Sequence, residues 1–235
     1  MSKYIRTLTI TYDLPISQRE IPLFRGAVLK SLGDKANLLY HNHTGKDTFR
    51  YGYPKIQYKR LNGKAAIVCV EEGVDLIGQL LSVMPNKLLL GEREQELAVA
   101  KVVPARLMVQ TWETLFKYHI NNWLPLNTKN YLLYKSTTSL AERIQLLERI
   151  LKGNLLSMLK GLDIHVEQEV KLSISHLSEP HILYNKGVAL MAFNADFITN
   201  LSIPNNLGVG KNASIGNGVV YQKKKKDIDK EKENQ

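Results

Sequence analysis

The chain has 235 residues, 44% of them hydrophobic, and 32 Lys and Arg against 22 Asp and Glu, a formal net charge of +10. This length can bury a sizeable core in one large domain or in two of about 110 residues, and no apolar run reaches the roughly 20 residues a membrane helix needs. The start, Met1-Ser2-Lys3-Tyr4-Ile5, lacks the apolar core of a secretion signal, and the single cysteine, Cys69, allows no internal disulfide, so a cytoplasmic protein is expected and the sequons at Asn42, Asn200 and Asn212 carry no meaning.

The charge is unevenly spread. Residues 1–64 hold twelve Lys/Arg and four Asp/Glu, residues 65–222 hold fourteen of each, and residues 223–235 hold six Lys and four acids. Positive charge concentrated in one quarter of an otherwise neutral chain points to a polyanion partner.

Lys3 to Tyr12 alternates β-branched and aromatic residues and predicts a strand. Pro15 and Ser17, with Glu20 three residues on, mark a helix start, and Ile21, Phe24, Val28, Leu29 and Leu32 keep one helical face up to Gly33. Asn37 to Tyr51 is polar, basic and aromatic and reads as a loop. Tyr53–Arg60 and Lys64–Glu71 read as strands joined by Leu61-Asn62-Gly63, a strong hairpin signal. Glu72–Val83 reads as a helix stopped by Pro85, and Lys87–Val103 as strand broken near Gly91. Strand, helix, strand, strand, helix, strand is the ferredoxin-like (RRM-like) unit. It fills residues 1–103.

Residues 104–222 repeat the theme. Ala105–Phe116 begins with apolar alternation and reads as a strand, while Trp112–Trp123 suits equally a helical or a looped insertion. Ser139–Leu162 is the strongest helix, through Leu140, Ile144, Leu147, Leu151, Leu155 and Met158. Val166–Leu177 and Gly187–Thr199 read as paired strands connected through Pro180–Lys186, and Val219–Tyr221 as the last strand. Little room remains for a second helix before Pro204. The expected fold is therefore α+β: two tandem ferredoxin-like domains with a C-terminal glycine-rich loop. Residues 223–235, opening with Lys223-Lys224-Lys225-Lys226, are expected to be a disordered charged tail.

That loop, Pro204–Val220, places Gly208, Gly210, Gly216 and Gly218 around Lys211. It is not a Walker A loop, since Asn205 stands at the first glycine position and Asn212 follows the lysine. It is not a dinucleotide fingerprint either, because Gly210 to Gly216 is too wide a gap. It suits an ordinary connection, or a concavity of amides that holds an anion. No metal-ligand spacing, paired carboxylates or Ser/Cys nucleophile motif stands out, and no cofactor is expected. If the polyanion is RNA, the chemistry these residues could carry is metal-free cleavage. The 2′-hydroxyl is the nucleophile, histidine handles protons near neutrality, and cations or amides stabilise the phosphorane. His41 and His43, at i and i+2, face the same way in an extended segment. Phe49, Tyr51, Tyr53 and Tyr58 interleave with Arg50, Lys55, Lys59 and Arg60, followed by Lys64. This suits bases stacked on aromatics with phosphates on cations, and equally an amphipathic strand with its aromatics inward. His119, His165, His176 and His181 read as packed or solvated.

The glycine loop ending in an apolar strand resembles that of the RAMP superfamily. With Leu39-Tyr40-His41-Asn42-His43 and Phe49-Arg50-Tyr51-Gly52-Tyr53-Pro54, the chain resembles the CRISPR-associated endoribonuclease that cuts repeat RNA. The resemblance implies a general-base histidine after the first helix, helped by a tyrosine and a lysine. His41 fits best, His43 is the close second and Lys46 is the candidate lysine. The predicted first helix contains no tyrosine, so Tyr40 or a tyrosine at 51, 53 or 58 would substitute. It further implies products with 2′,3′-cyclic phosphate and 5′-hydroxyl ends; a monomer or homodimer is expected. Arg50, Lys55, Lys59, Arg60 and Lys64, with Gly208, Gly210, Lys211, Gly216 and Gly218, are the candidate RNA contacts. One rival is a non-catalytic RAMP-type RNA-binding subunit of a CRISPR effector complex. Another is an unrelated nucleic-acid-binding module.

Overall fold

The computed structural model describes residues 3–33, 43–44, 48–49 and 52–223. The described residues form two compact units: one within 4–107 with Asn212–Gly216, the other of Met108–Lys211 with Asn217–Lys223 and Lys3. No helix among the described residues is long and apolar enough to cross a membrane.

In the first unit β1 (Lys3–Pro15) leads into a 3-10 turn, Gln18–Glu20, and α1 (Ile21–Leu32). The expected capping residues act here. The Ser17 amide donates to Glu20 Oε2 at 2.8 Å, and this contact holds the Glu20 carboxyl below its ordinary value. The segment read as a loop contains two short strands, β2 (His43–Thr44) and β3 (Thr48–Phe49), paired antiparallel. β4 (Ile56–Leu61) and β5 (Lys64–Val70) form the predicted hairpin, with Asn62 at φ 49° and Gly63 at φ 83°, the left-handed pair a two-residue type I′ turn requires.

The second predicted helix divides into α2 (Glu72–Asp75) and α3 (Ile77–Val83). Gly73 and Gly78 lower its propensity, and a Cβ at Gly73 would stand 2.3 Å from the Lys55 carbonyl oxygen. β6 (Lys87–Leu90) and β7 (Arg93–Glu96) form a hairpin before β8 (Val99–Val109). The sheet order is β4-β5-β1-β8, the ferredoxin-like arrangement. Ile10, Tyr12, Phe24, Val28, Tyr58, Ile67 and Cys69 fill its core.

In the second unit β9 (Thr111–Trp123) is a strand throughout, so the helical or looped insertion expected over Trp112–Trp123 is corrected to a strand. An unpredicted helix, α4 (Thr128–Ser136), follows, capped by Asn127 Oδ1, which accepts from the Asn130 amide at 2.8 Å. α5 (Leu140–Gly161) starts at Ser139 and buries Leu147, Leu151, Leu155, Met158 and Leu159. β10 (Leu172–Leu177) is shorter than expected. Residues before it are tied down by Asn200, which accepts from the Lys171 amide at 2.8 Å and donates to the Glu169 carbonyl at 3.1 Å.

The stretch read as a connection is β11 (His181–Asn185), in a hairpin with β12 (Val188–Leu201) through Lys186-Gly187. β13 (Val219–Gln222) completes the order β10-β12-β9-β13. Between β12 and β13 no helix occurs among the described residues, and the glycine loop stands in its place. This is a second ferredoxin-like sheet.

Candidate functional site

The glycine loop is two closely paired limbs and a tip. In the second unit the Asn206 amide donates to the Val220 carbonyl (2.8 Å), Val220 to Leu207 (2.9 Å) and Val209 to Gly218 (2.8 Å). Gly218 has φ 61°, and a Cβ there would lie 1.9 Å from the Val209 carbonyl oxygen, so only glycine closes the limbs. Its amide donates to the Asn122 carbonyl at 3.1 Å, and Gly208 is buried in the paired limb. These two glycines shape the loop rather than offer amides to an anion. Gly210 sits beside Trp123, whose indole N–H donates to Asn154 Oδ1 at 3.0 Å. Lys211 is exposed.

The tip, Asn212–Gly216, packs within the first unit. Ile215 forms a parallel bridge with Tyr58, and the Tyr58 amide donates to the Ser214 carbonyl at 2.8 Å. The tip therefore covers the free edge of β4, which would otherwise present unpaired backbone groups. Gln18 Nε2 donates to the Gly216 carbonyl at 3.0 Å. Gly216 has φ 85°, and a Cβ there would meet Ile21 Cδ1 at 2.4 Å.

Lys59 corrects the sequence expectation most sharply. It is not on a surface groove: it is 0% exposed. Its Nζ donates to the Ala213 carbonyl at 2.7 Å, and burial pushes its pKa down to about 7. The face of β4 that carries Lys59 is covered where an open edge face was expected. The neighbouring cations have partners inside the unit. Lys55 Nζ lies 3.2 Å from Glu72 Oε2, Lys64 Nζ 2.7 Å from Asp13 Oδ1, and Arg60 Nε donates to the Ile16 carbonyl at 2.7 Å.

Tyr40, His41, Lys46, Arg50 and Tyr51 lie outside the described residues, as does the tail from residue 224 on. For His43 the backbone is described, paired with Phe49 across the β2–β3 ladder. Of the substitute tyrosines, Tyr58 is 0% exposed and its ring stands 6.0 Å from Phe24 in the core. It therefore follows the inward-aromatic alternative. Burial pushes the Tyr53 phenol above its ordinary value, so it keeps its proton near neutrality.

A second polar cluster lies on the other unit and was missed by sequence reasoning. Cross-strand register sets Asp196 of β12 and Tyr221 of β13 on either side of His119 in β9. His119 Nδ1 is 2.6 Å from Asp196 Oδ1, Lys223 Nζ is 2.9 Å from Asp196 Oδ2, and the His119 and Tyr221 rings stand 5.0 Å apart. Partial burial raises the Asp196 pKa, but the bonds from Lys223 and His119 outweigh it and hold the carboxyl below its ordinary value. Only the pairing of three distant strands assembles this group, and no local motif announces it.

Residues 3–106 match the family model of the Cas6b N-terminal domain, and residues 110–223 that of the Cas6b C-terminal domain. Among solved structures, a crystal structure of Cas6b is 27% identical with a TM-score of 0.84, over 94% of this chain and 100% of that one. The crystal structure of the CRISPR RNA processing endoribonuclease Cas6b is 25% identical with a TM-score of 0.72, over the same shares. Among curated proteins, the uncharacterized protein MJ0978 of Methanocaldococcus jannaschii is 41% identical over 111 residues, 47% of this chain and 74% of that protein.

Proposed function

The chain belongs to the Cas6b family, and from that premise we propose that it is an endoribonuclease that cuts CRISPR repeat RNA into guide RNAs. The observation that carries this reading is the likeness, along 94% of the chain, to a Cas6b whose structure bears the name CRISPR RNA processing endoribonuclease. The basic first 64 residues and the exposed Lys211 supply charge for a polyanion.

The reaction needs no metal. His41, or His43 beside it, takes the proton from the 2′-hydroxyl next to the scissile phosphate. The freed oxygen attacks phosphorus, and Lys46 offsets the charge that builds on the phosphorane. The P–O5′ bond breaks, and the leaving oxygen takes a proton, from the second histidine or from water. The products are a 2′,3′-cyclic phosphate and a 5′-hydroxyl. Tyr40 stands beside His41 as the tyrosine candidate, since Tyr58 is in the core.

His41→Ala and His43→Ala, made separately, test the assignment. The general base should lose about a hundredfold or more in single-turnover cleavage with RNA affinity retained. Full cleavage by both variants would remove the histidines from the mechanism. Tight binding of repeat RNA by the wild-type protein without any cleavage would favour the non-catalytic RNA-binding subunit instead.

A further inference from the structure

Lys59 is a buried cation that the reaction does not use. Its neighbours on the sheet are Ala66 of β5, opposite it in register, and Thr11 of β1 beyond. Gln57, two residues before it on β4, donates to the Pro54 carbonyl at 3.0 Å. From the loop it meets the Ala213 carbonyl at 2.7 Å, with Asn212 and Ser214 on either side. None of these groups carries negative charge, and among the described residues no carboxylate forms an ion pair with Lys59. A second buried donor, Asn212 Nδ2, has no hydrogen-bond partner among the described residues. The buried ammonium and this unpartnered side-chain N–H lie at the tip of the glycine loop with no negative charge among the groups named, and donors of this kind suit an anion.

We propose that Lys59 is the positioning residue of the glycine loop: its ammonium, bonded to Ala213, holds Asn212–Gly216 on the edge of β4, and an RNA phosphate gripped by that loop is bound together with the proton on Lys59. This rests on the RNA-processing reading for its ligand, but the latch itself does not. An ammonium that lacks an internal counter-ion gains a favourable interaction when a phosphate arrives, and by linkage RNA binding then favours the protonated lysine. The pKa near 7 places the titration where it can be followed.

Two measurements on the full chain test this with Lys59→Met, which keeps the length and removes the charge. The first needs no RNA. The Tyr58 amide, held by the Ser214 carbonyl at 2.8 Å, should lose about tenfold or more of its hydrogen-exchange protection at about pH 6, while core amides of the second unit are unchanged. Unchanged protection at Tyr58 overturns the latch.

The second measures affinity for repeat RNA carrying 2′-deoxyribose at the cut, at fixed ionic strength, from about pH 6 to pH 9. The wild-type protein should bind about tenfold more tightly than Lys59→Met at the acid end, and the two curves should converge as Lys59 loses its proton. Titration of His41 and His43 contributes to both proteins and drops out of the ratio. Lys211→Ala, by contrast, should weaken binding by the same factor across the range. A Lys59→Met ratio that stays constant with pH refutes the coupled proton and leaves Lys59 a structural prop. Lost Tyr58 protection in a protein that binds no RNA at any pH would leave the latch standing and overturn the RNA reading of the loop.

Discussion

Lys59→Met should change how stability depends on pH, even with no RNA present. In the unfolded chain a lysine keeps its proton up to about pH 10.4, whereas in the fold Lys59 releases it at about 7. Between those values the unfolded state binds one proton more, so stability rises with pH by about 1.4 kcal/mol per unit. Cys69 sets the upper limit of a clean window. Burial pushes its thiol up to about 12, so above about pH 8.5, where an unfolded thiol ionises, Cys69 works in the opposite direction. From pH 7 to pH 8.5 the Lys59 contribution amounts to about 2 kcal/mol. Urea denaturation of both proteins at these two pH values should show the wild type gaining about that much more than Lys59→Met. At pH 7 the variant loses the bond to Ala213, about 1–3 kcal/mol, and no longer buries a charge, so its stability should be close to or above the wild type. Equal pH dependence in the two proteins would refute the argument that Lys59 is a desolvated cation.

Gly218→Ala should lower the melting temperature steeply. A left-handed non-glycine residue costs about 1–2 kcal/mol, and the Cβ placed 1.9 Å from the Val209 carbonyl oxygen would also force apart the Val209–Gly218 hydrogen bond. A thermal melt within about 2 °C of wild type, equivalent to well under 1 kcal/mol, would show that the limbs are not closed as described. In the second unit, carbon NMR should find the Asp196 carboxyl titrating below the ordinary value of about 3.9, because His119 and Lys223 bond to it. His119→Ala should move it upward, and no movement would remove that contact.

Much of this architecture is legible because its signals are local. Asn62-Gly63 dictates its own turn, Ser17 and Glu20 satisfy each other across three residues, and the leucines of α5 fall on one face within a single helix. The replacement of a helix between β12 and β13 was legible too, since the stretch from Pro204 on carries four glycines, poor helix formers, where the helix would stand. Lys59 was misplaced for a physical reason. β4 reads as a half-exposed edge until Ser214 and Ile215, more than 150 residues away in the chain, pair with Tyr58. β11 escaped notice because its turn uses Lys186-Gly187 rather than Asn-Gly, and α4 because it buries only Tyr134 and so lacks an apolar stripe. The His119–Asp196–Lys223 group depends on register among three strands, and periodicity carries no information on register. The glycines were legible as a loop. Their division between backbone turning and close packing was not, because it depends on which atoms face each Cβ position.

Cleavage of the chain's neighbouring repeat RNA in excess EDTA, beside the same RNA with a single 2′-deoxy substitution at the cut, tests the central proposal most directly. The 2′-hydroxyl mechanism predicts that the all-ribose RNA is cut to a 2′,3′-cyclic phosphate and a 5′-hydroxyl while the substituted RNA is bound and left intact. Cleavage of the deoxy substrate, or loss of all cleavage with EDTA and its return on adding a divalent cation, would contradict it.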